Sequence, residues 1–329
     1  MSYLLHLAFV ASLVCGADAP VSQTFPAKDT LAIAPDSNRD AQDCLDGLLW
    51  KPGEFAVTCS VPEHALPLQL VRFPSPRPSG NAVNDLVAME WYAACDEEGR
   101  VTRAPAVLVV HESGAGMQAG RLFARGLQAY GLHAFLIHLP YYGERRTPGV
   151  DWERVDFRAA VFQSIADVRR ARDAIAVLPH VDASRIGVQG TSLGGFVTAL
   201  AASLDHGFSA VFVMLAGGDL ADVIRNGKQD TAKLRESLAK AGYTDDKLKE
   251  VLRAIEPTRI AHRLDARRTW IYSGELDRVV PIRNAEVLAR AAKLDDAHHV
   301  RVAAGHYSAI LYFPRIVKEM AEHLKTVPD

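Results

Sequence analysis

A serine, a carboxylate and a histidine occur in this sequence at positions where they could act together. Ser192 has Gly190 two residues before it and Gly194 two residues after it. A sharp turn between a strand and a helix requires glycine at both places, because side chains there would collide with neighbouring backbone. Such a turn exposes the serine hydroxyl and directs the Leu193 amide and the helix N-terminus at one point. Ser192 is therefore predicted to be a nucleophile, in preference to a helix-capping serine.

The base and the acid are expected after two later strands. His306 follows the last predicted strand on a glycine-led loop, from which it can reach Ser192 as a general base. Two carboxylates follow the preceding strand. Asp277 is favoured over Glu275, because the turn before Val-Pro directs its side chain beneath the histidine loop. Asp219, at the end of another strand, is the reserve acid.

Donors for a negatively charged oxygen are expected on two segments. The Leu193 amide is the first. The apolar run 106–110 ends in a glycine-rich turn containing His111, Ser113 and Gly114, and such a turn can present backbone N–H groups to a ligand. Ser113 or Gly114 is the second candidate donor, and His111 is a candidate for substrate binding. The alternative is a plain strand-to-helix loop.

A polar aromatic loop, residues 140–146, follows the next buried strand. Ligands of open α/β sheets bind at the carboxyl ends of strands, so Tyr142 and Arg146 are candidates for a pocket wall. They could equally anchor the loop by packing and by pairing with Glu144.

A long helical pattern covers residues 151–178. Its central charges are expected on the solvent side of the helix, as a surface and not a site. These charges are Asp167, Arg169, Arg170, Arg172 and Asp173.

One catalytic domain with an N-terminal extension fits the 329 residues, because no Gly/Ser linker interrupts the middle of the chain. Residues 20–103 are rich in proline and short apolar alternations. They predict antiparallel strands that either extend the sheet edge or cover one side of the site. Residues 104–329 form the predicted catalytic domain, and the polar helical segment 220–264 is expected to be a solvated cap over the site.

The N-terminus carries an apolar run at 4–14, followed by Ala17-Asp18-Ala19, a small-x-small cleavage pattern. Residues 1–19 are therefore predicted to be a signal peptide, and the protein to be periplasmic or secreted. An N-terminal core or interface helix is the alternative, because no Lys or Arg precedes the apolar run.

Cleavage would leave Cys44, Cys59 and Cys95, which allow at most one intrachain bridge. Cys44–Cys59 and Cys59–Cys95 are both possible, and so are three buried thiols. None has a CxxC partner, so no metal or redox site is expected. The formal charge of −2 gives no electrostatic reason to expect nucleic acid or an anionic membrane, and the apolar run is too short for a stable span. Small molecules are the expected partners, and the oligomeric state stays open.

A strand, the turn with Ser192, then Asp277 and then His306 follow one another in the chain order of the α/β-hydrolase family. The sequence resembles this family from about residue 104 to its end. The resemblance is to the dienelactone hydrolase-like and acetyl-esterase-like branch. It implies a mostly parallel sheet flanked by helices, and an ester or related acyl substrate without a cofactor. Ser192 stands where dienelactone hydrolases use cysteine, and the turn after His111 replaces the His-Gly-Gly-Gly of lipases.

The resulting hypothesis is a serine esterase that acts through an acyl-enzyme. Two alternatives remain: a serine peptidase or amidase with the same three residues, and a binding protein of the same fold that does not turn substrate over.

Overall fold

The computed structural model of the protein describes residues 22–60, 69–150 and 155–326, so the predicted signal peptide at 1–19 lies outside it. Within these residues ten strands form one sheet in the order β1-β2-β3-β4-β6-β5-β7-β8-β9-β10. The strands are β1 Gln23–Lys28, β2 Glu54–Ser60, β3 Gln69–Pro74, β4 Leu86–Tyr92, β5 Ala104–Val110, β6 His133–Ile137, β7 Val181–Thr191, β8 Val211–Met214, β9 Thr269–Gly274 and β10 His299–Val302.

Helices cover both faces of this sheet. They are α1 Arg39–Leu48, α2 Ala82–Asp85, α3 Gln118–Ala129, α4 Phe157–Ala176, α5 Leu193–Ala202, α6 Leu220–Asn226, α7 Asp230–Lys240, α8 Asp245–Ala254, α9 Ile282–Ala291 and α10 Phe313–Thr326. Helices α3 and α10 pack on one face, and α4 and α5 on the other. Strands β5 to β10 pair in parallel. Strands β5, β6, β8 and β9 are buried at every position, as strands covered on both faces of a sheet are.

The N-terminal extension lengthens the sheet. Strands β1 to β4 pair with one another in antiparallel fashion, and β4 pairs antiparallel with β6 of the parallel part. Of the two arrangements that the sequence left open, the extension of the sheet edge is the one observed. The proline-rich connection after β3 is only partly exposed, because the Ser75 side chain is buried.

Four of the five central charges of α4 are buried and Arg172 is partly exposed, so the prediction of a solvated face is wrong. Asp167 and Arg169 are 0% and 1% exposed, and Arg170 and Asp173 are also buried. The extension covers them: Arg170 pairs with Asp29 at 2.5 Å, and the Asp173 carboxylate accepts hydrogen bonds from the backbone and side chain of Thr30. The charges on this helix thus hold the extension to the catalytic part of the chain.

Helices α6, α7 and α8 lie between β8 and β9 in sequence and form the cap. The outer surface of the cap is charged, with Lys240, Lys247 and Lys249 exposed. Its inner surface is apolar and includes Leu238 and Leu252, which are buried. The cap therefore has a solvated exterior, as its composition indicates, and an apolar underside.

The cysteines of the described residues are free thiols. Cys44 and Cys59 are buried, whereas Cys95 is exposed. Burial raises the pKa of the Cys59 thiol to about 11, so this side chain behaves as a small neutral core residue. Of the alternatives from the sequence, the one with buried free thiols is observed for Cys44 and Cys59, but not for Cys95.

Candidate active site

Ser192 lies in the tight turn between β7 and α5. Its backbone has φ 54° and ψ −116°, a conformation that few residues with a side chain adopt. A Cβ atom on Gly190 would overlap the backbone oxygen of Gly194, and one on Gly194 would overlap the backbone oxygen of Val110. The two glycines therefore allow the start of α5 to pack closely against the ends of β5 and β7. The turn places the Ser192 side chain above these strand ends.

Asp277, His306 and Ser192 form a continuous chain of hydrogen bonds. The Nδ1 atom of His306 lies 2.7 Å from Oδ2 of Asp277, and its Nε2 atom lies 3.1 Å from Oγ of Ser192. The carboxylate of Asp277 accepts only, so the neutral imidazole carries its proton on Nδ1 and offers Nε2 to the hydroxyl. This is the arrangement in which a histidine can take the proton of a serine.

Asp277 is fixed by its own turn after β9. Its side chain is 1% exposed, and its Oδ1 atom accepts hydrogen bonds from the Val279 and Val280 amides at 2.8 and 3.0 Å. The other acid candidates lie elsewhere. Glu275 is exposed to solvent, and Asp219 caps the N-terminus of α6 through the Asp222 amide.

The predicted oxyanion segments meet at the same cavity. Leu193 is the first residue of α5, and the first N–H groups of a helix have no acceptor within it. Ser113 and Gly114 line the cavity together with Ser192. The Tyr142 hydroxyl donates to the Ser113 carbonyl at 3.1 Å, and so ties the loop after β6 to the loop after β5. Tyr142 therefore both lines the cavity and anchors a loop.

His111 and Arg146 do not contact the cavity, so their prediction as substrate-binding residues is corrected. His111 is fully buried; its Nδ1 atom donates to the Glu112 carbonyl at 2.5 Å and its Nε2 atom accepts from the Leu139 amide at 3.1 Å. Arg146 is exposed at the surface. Glu144, its predicted partner, pairs instead with Arg72 of the extension.

Because His111 is buried, its protonation makes the free energy of unfolding depend on pH. Burial lowers its pKa to about 3, although its contact with the Glu112 carbonyl acts in the opposite direction. Between about pH 6.5 and 3 the unfolded chain binds a proton there that the folded chain does not, so stability from this group is present above pH 6.5 and is lost as the pH falls.

We expect the free energy of unfolding to fall less between pH 6.5 and 4.5 in a His111→Gln variant than in the wild type, by ~2 kcal/mol. Urea denaturation at both pH values measures this difference. The matched control is His206→Gln, because His206 is exposed. An equal loss of stability in wild type and His111→Gln would contradict the assignment.

Two features of the site have no signal in the sequence. Arg145, next to the predicted Arg146, is fully buried and holds the 140–146 loop through the Asn84 and His138 carbonyls. On the cap, Asp230 accepts a hydrogen bond from the Tyr307 hydroxyl at 2.5 Å, which links α7 to the loop of the base. Both are contacts between distant parts of the chain, which local sequence patterns do not encode.

Ser192 and His306 line a cavity of about 860 Å³ between the sheet and the cap. Its wall is largely apolar. Among the described residues, no group of three or more His, Cys, Asp or Glu side chains is placed to hold a metal ion. In the same part of the chain no helix is long and apolar enough to cross a bilayer.

A family model named for prolyl oligopeptidase matches residues 147–313, just over half of the chain. The chain belongs to the prolyl oligopeptidase family. The matched segment contains Ser192, Asp277 and His306. A search of curated proteins finds no match. As a member of this family the protein is a serine hydrolase of the α/β fold.

Solved structures of hydrolases share this fold. The acetyl xylan esterase from Paenibacillus sp. R4 aligns with a TM-score of 0.62 and 13% identity, over 90% of this chain and 96% of its own. Acetyl xylan esterase 1 from Thermoanaerobacterium sp. JW/SL YS485 aligns with a TM-score of 0.58 and 15% identity, over the same shares of the two chains. A puromycin-hydrolyzing peptidase from Mycobacterium tuberculosis aligns with a TM-score of 0.57 and 15% identity, over 83% of this chain and 46% of its own. The predicted α/β-hydrolase fold is confirmed, and two of these three structures are acetyl esterases, the branch that the sequence resembles.

Proposed function

We propose that this family member hydrolyses a carboxylic ester through an acyl-enzyme on Ser192. The observation that carries the proposal is the hydrogen-bond chain from Asp277 through His306 to Ser192, at the wall of a largely apolar cavity. His306 accepts the hydroxyl proton as the Ser192 oxygen attacks the ester carbonyl, and Asp277 stabilises the imidazolium that forms. The negative charge that develops on the carbonyl oxygen is held by the Leu193 amide and by an amide of Ser113 or Gly114.

The second half of the reaction returns the enzyme to its starting state. His306 gives its proton to the leaving alkoxide, so the alcohol departs and the acyl group stays on Ser192. Water then takes the place of the alcohol: His306 removes one of its protons while the oxygen attacks the acyl carbon. Collapse of this intermediate releases the carboxylic acid and restores the Ser192 hydroxyl.

Ester cleavage is favoured over peptide cleavage by the few polar groups at the cavity. A peptide substrate needs hydrogen-bonding partners for its backbone, since each buried amide left without one costs about 1–3 kcal/mol. The polar side chains on the cap side are engaged with one another: Asp230 accepts from the Tyr307 hydroxyl and pairs with Lys233 at 2.9 Å. The peptidase alternative is supported by the family name and by the puromycin-hydrolyzing neighbour.

One set of measurements tests the proposal. Purified protein is treated with a fluorophosphonate and examined by mass spectrometry, and initial rates are measured on p-nitrophenyl esters and on p-nitroanilides of the same acids. We expect a single adduct on Ser192 and hydrolysis of the esters. Faster cleavage of the matched anilides would favour the amidase, and folded protein with neither adduct nor turnover would favour a binding protein.

A further inference from the structure

The cavity next to Ser192 is lined by one face of each of two helices. From α5 the lining residues are Leu193, Phe196, Val197 and Leu200, and from α4 they are Phe157, Ala160, Val161 and Ser164. Both sets have the spacing i, i+3, i+4, i+7, which places side chains along a single helical face. The two faces form a continuous wall that begins at the nucleophile.

The α5 face sets the depth of this wall. Leu193 follows the nucleophile directly and Leu200 lies seven residues further along the helix, which at 1.5 Å per residue is a distance of about 10 Å. An extended alkyl chain, built from carbon bonds of about 1.5 Å at tetrahedral angles, advances about 1.25 Å per carbon. The wall therefore has the length of about eight carbons.

The cap encloses the same space with further apolar side chains. Leu220 and Ile224 of α6 line the cavity, and so do Leu252 and Ile255 at the end of α8. All four are buried. An acyl chain lying along α5 would therefore be surrounded by apolar surface contributed by the sheet side and by the cap.

The hydroxyl groups in this compartment are already bonded within the protein. The Ser164 hydroxyl donates to the Ala160 carbonyl at 2.8 Å, and the Thr231 hydroxyl donates to the Val279 carbonyl at 2.9 Å. The Thr191 hydroxyl oxygen accepts from the Gln189 side chain at 2.8 Å. A polar group on the acyl side would lose its water and find few partners among these hydroxyls, which disfavours such substrates.

Asp230 and Lys233, two charged residues of the cavity wall, lie on the side of the base. Asp230 is linked to Tyr307, whose ring packs edge-on against His306 at 5.5 Å between centroids. Tyr307 is half-exposed, so this side of the cavity meets solvent. The site thus has an apolar compartment along α5 and a polar, open side where an alcohol can leave.

We propose that the acyl group is a saturated chain of medium length, about eight carbons, held along α5 beneath the cap. This inference rests on the proposed esterase activity and defines its substrate class. Water cleaves the bond between the acyl carbon and the ester oxygen, so the products are the fatty acid and the free alcohol. An acetyl group would fill only the part of the cavity nearest to Ser192.

The first test is a series of p-nitrophenyl acetate, butyrate, octanoate and dodecanoate, measured below the concentrations at which they aggregate. Each buried methylene can contribute about 0.8 kcal/mol, or about fourfold in kcat/KM when fully realised. We expect kcat/KM to be at least about tenfold higher for octanoate than for acetate. Hydrolysis of acetate that equals or exceeds that of octanoate would overturn the acyl-chain inference and leave the esterase proposal in place.

The second test narrows the compartment. Leu200→Trp, from α5, and Leu252→Trp, from the cap, should each lower the ratio of dodecanoate to acetate kcat/KM by about tenfold, because the added volume occupies the path of the longer chain. The control Leu86→Trp changes an exposed leucine away from the cavity and should leave this ratio unchanged. Labelling of Ser192 by a small fluorophosphonate verifies that each variant keeps its site.

The outcomes separate the two proposals. Unchanged ratios in both tryptophan variants, with Ser192 still labelled, would overturn the acyl-chain inference alone. Absence of labelling and of turnover with every ester in the wild type would overturn the proposed function, and the inference with it.

Discussion

Replacement of Ser192 by alanine should lower kcat on p-nitrophenyl esters by about 10⁴-fold or more. The hydroxyl oxygen is the only atom removed, and it is the atom that the imidazole of His306 faces at 3.1 Å. Without it no acyl-enzyme can form, and only activation of water by the remaining groups is left. Steady-state kinetics and the loss of the fluorophosphonate adduct measure this effect.

The fold should survive this change. Alanine keeps a Cβ atom, so the turn at φ 54° carries the same strain, and the free energy of unfolding should stay within about 1 kcal/mol of the wild type. Ser203→Ala is a matched control: its hydroxyl is buried at the end of the same helix, bonded to the Ala199 carbonyl at 2.7 Å, and should be dispensable for turnover. If Ser192→Ala retained wild-type kcat, another nucleophile would have to be sought.

His306→Ala combined with Ser192→Ala should cost little more than Ser192→Ala alone. The three side chains act as a unit through two hydrogen bonds, so removing a second member takes away a group that no longer has a function. Multiplicative losses in the double variant would mean that the two residues act independently.

The elbow was predictable because its determinants are local. Gly190 and Gly194 stand at fixed offsets from Ser192, and the close approach that requires them arises within one strand-turn-helix unit. The ends of parallel strands gather at one sheet edge, so the chain order of Ser192, Asp277 and His306 also indicates that they lie near one another. Spacing along the chain determines these positions, which is why the sequence indicates them.

The side-chain positions in the loops around the elbow could not be predicted from residue type. His111 and Arg146 have residue types suited to binding, and both follow buried strands. The structure uses His111 to join the β5 and β6 loops by hydrogen bonds inside the core, and turns Arg146 to solvent while its neighbour Arg145 is buried. Which of the two neighbouring arginines points inward depends on the backbone conformation of the loop. The residue types do not reveal that conformation.

The charges of α4 were mispredicted for a different reason. A helix with many charges in its middle is usually exposed there, because buried ions are costly unless they are paired. Their partners are far away in sequence: Asp29 lies 141 residues before Arg170, and Thr30 lies 143 residues before Asp173. Only the folded extension brings these groups together, so the pattern of α4 alone points to the wrong environment.

Replacement of Asp167 by alanine should therefore destabilise the protein strongly. Asp167 and Arg145 are both 0% exposed, with Nη2 of the arginine 2.8 Å from the carboxylate, and the Ser75 hydroxyl donates to the same carboxylate at 2.6 Å. Removing one partner of a buried ion pair leaves the other charge without compensation, at a cost of about 3–5 kcal/mol. Urea denaturation near neutral pH measures the change in the free energy of unfolding.

A double variant distinguishes loss of the pair from loss of packing. Asp167→Ala combined with Arg145→Met removes both charges of this ion pair. The double variant should therefore cost clearly less than the sum of the two single changes. Asp246→Ala is the surface control, because Asp246 is almost fully exposed in its pair with Lys249, and it should change stability by less than about 1 kcal/mol. Additive single effects would show that packing, and not the ion pair, dominates.

The position of this pair links stability to the site. Asp167 lies on α4 one turn beyond Ser164. The helix that lines the proposed acyl compartment therefore also carries the carboxylate that holds Ser75, directly after β3, and Arg145 of the 140–146 loop. Tyr142 of that loop supports the Ser113 carbonyl. Loss of Asp167 should then raise KM for octanoate more than for acetate at temperatures where the variant is still folded, because the wall along the chain loosens while the hydrogen bonds around Ser192 remain.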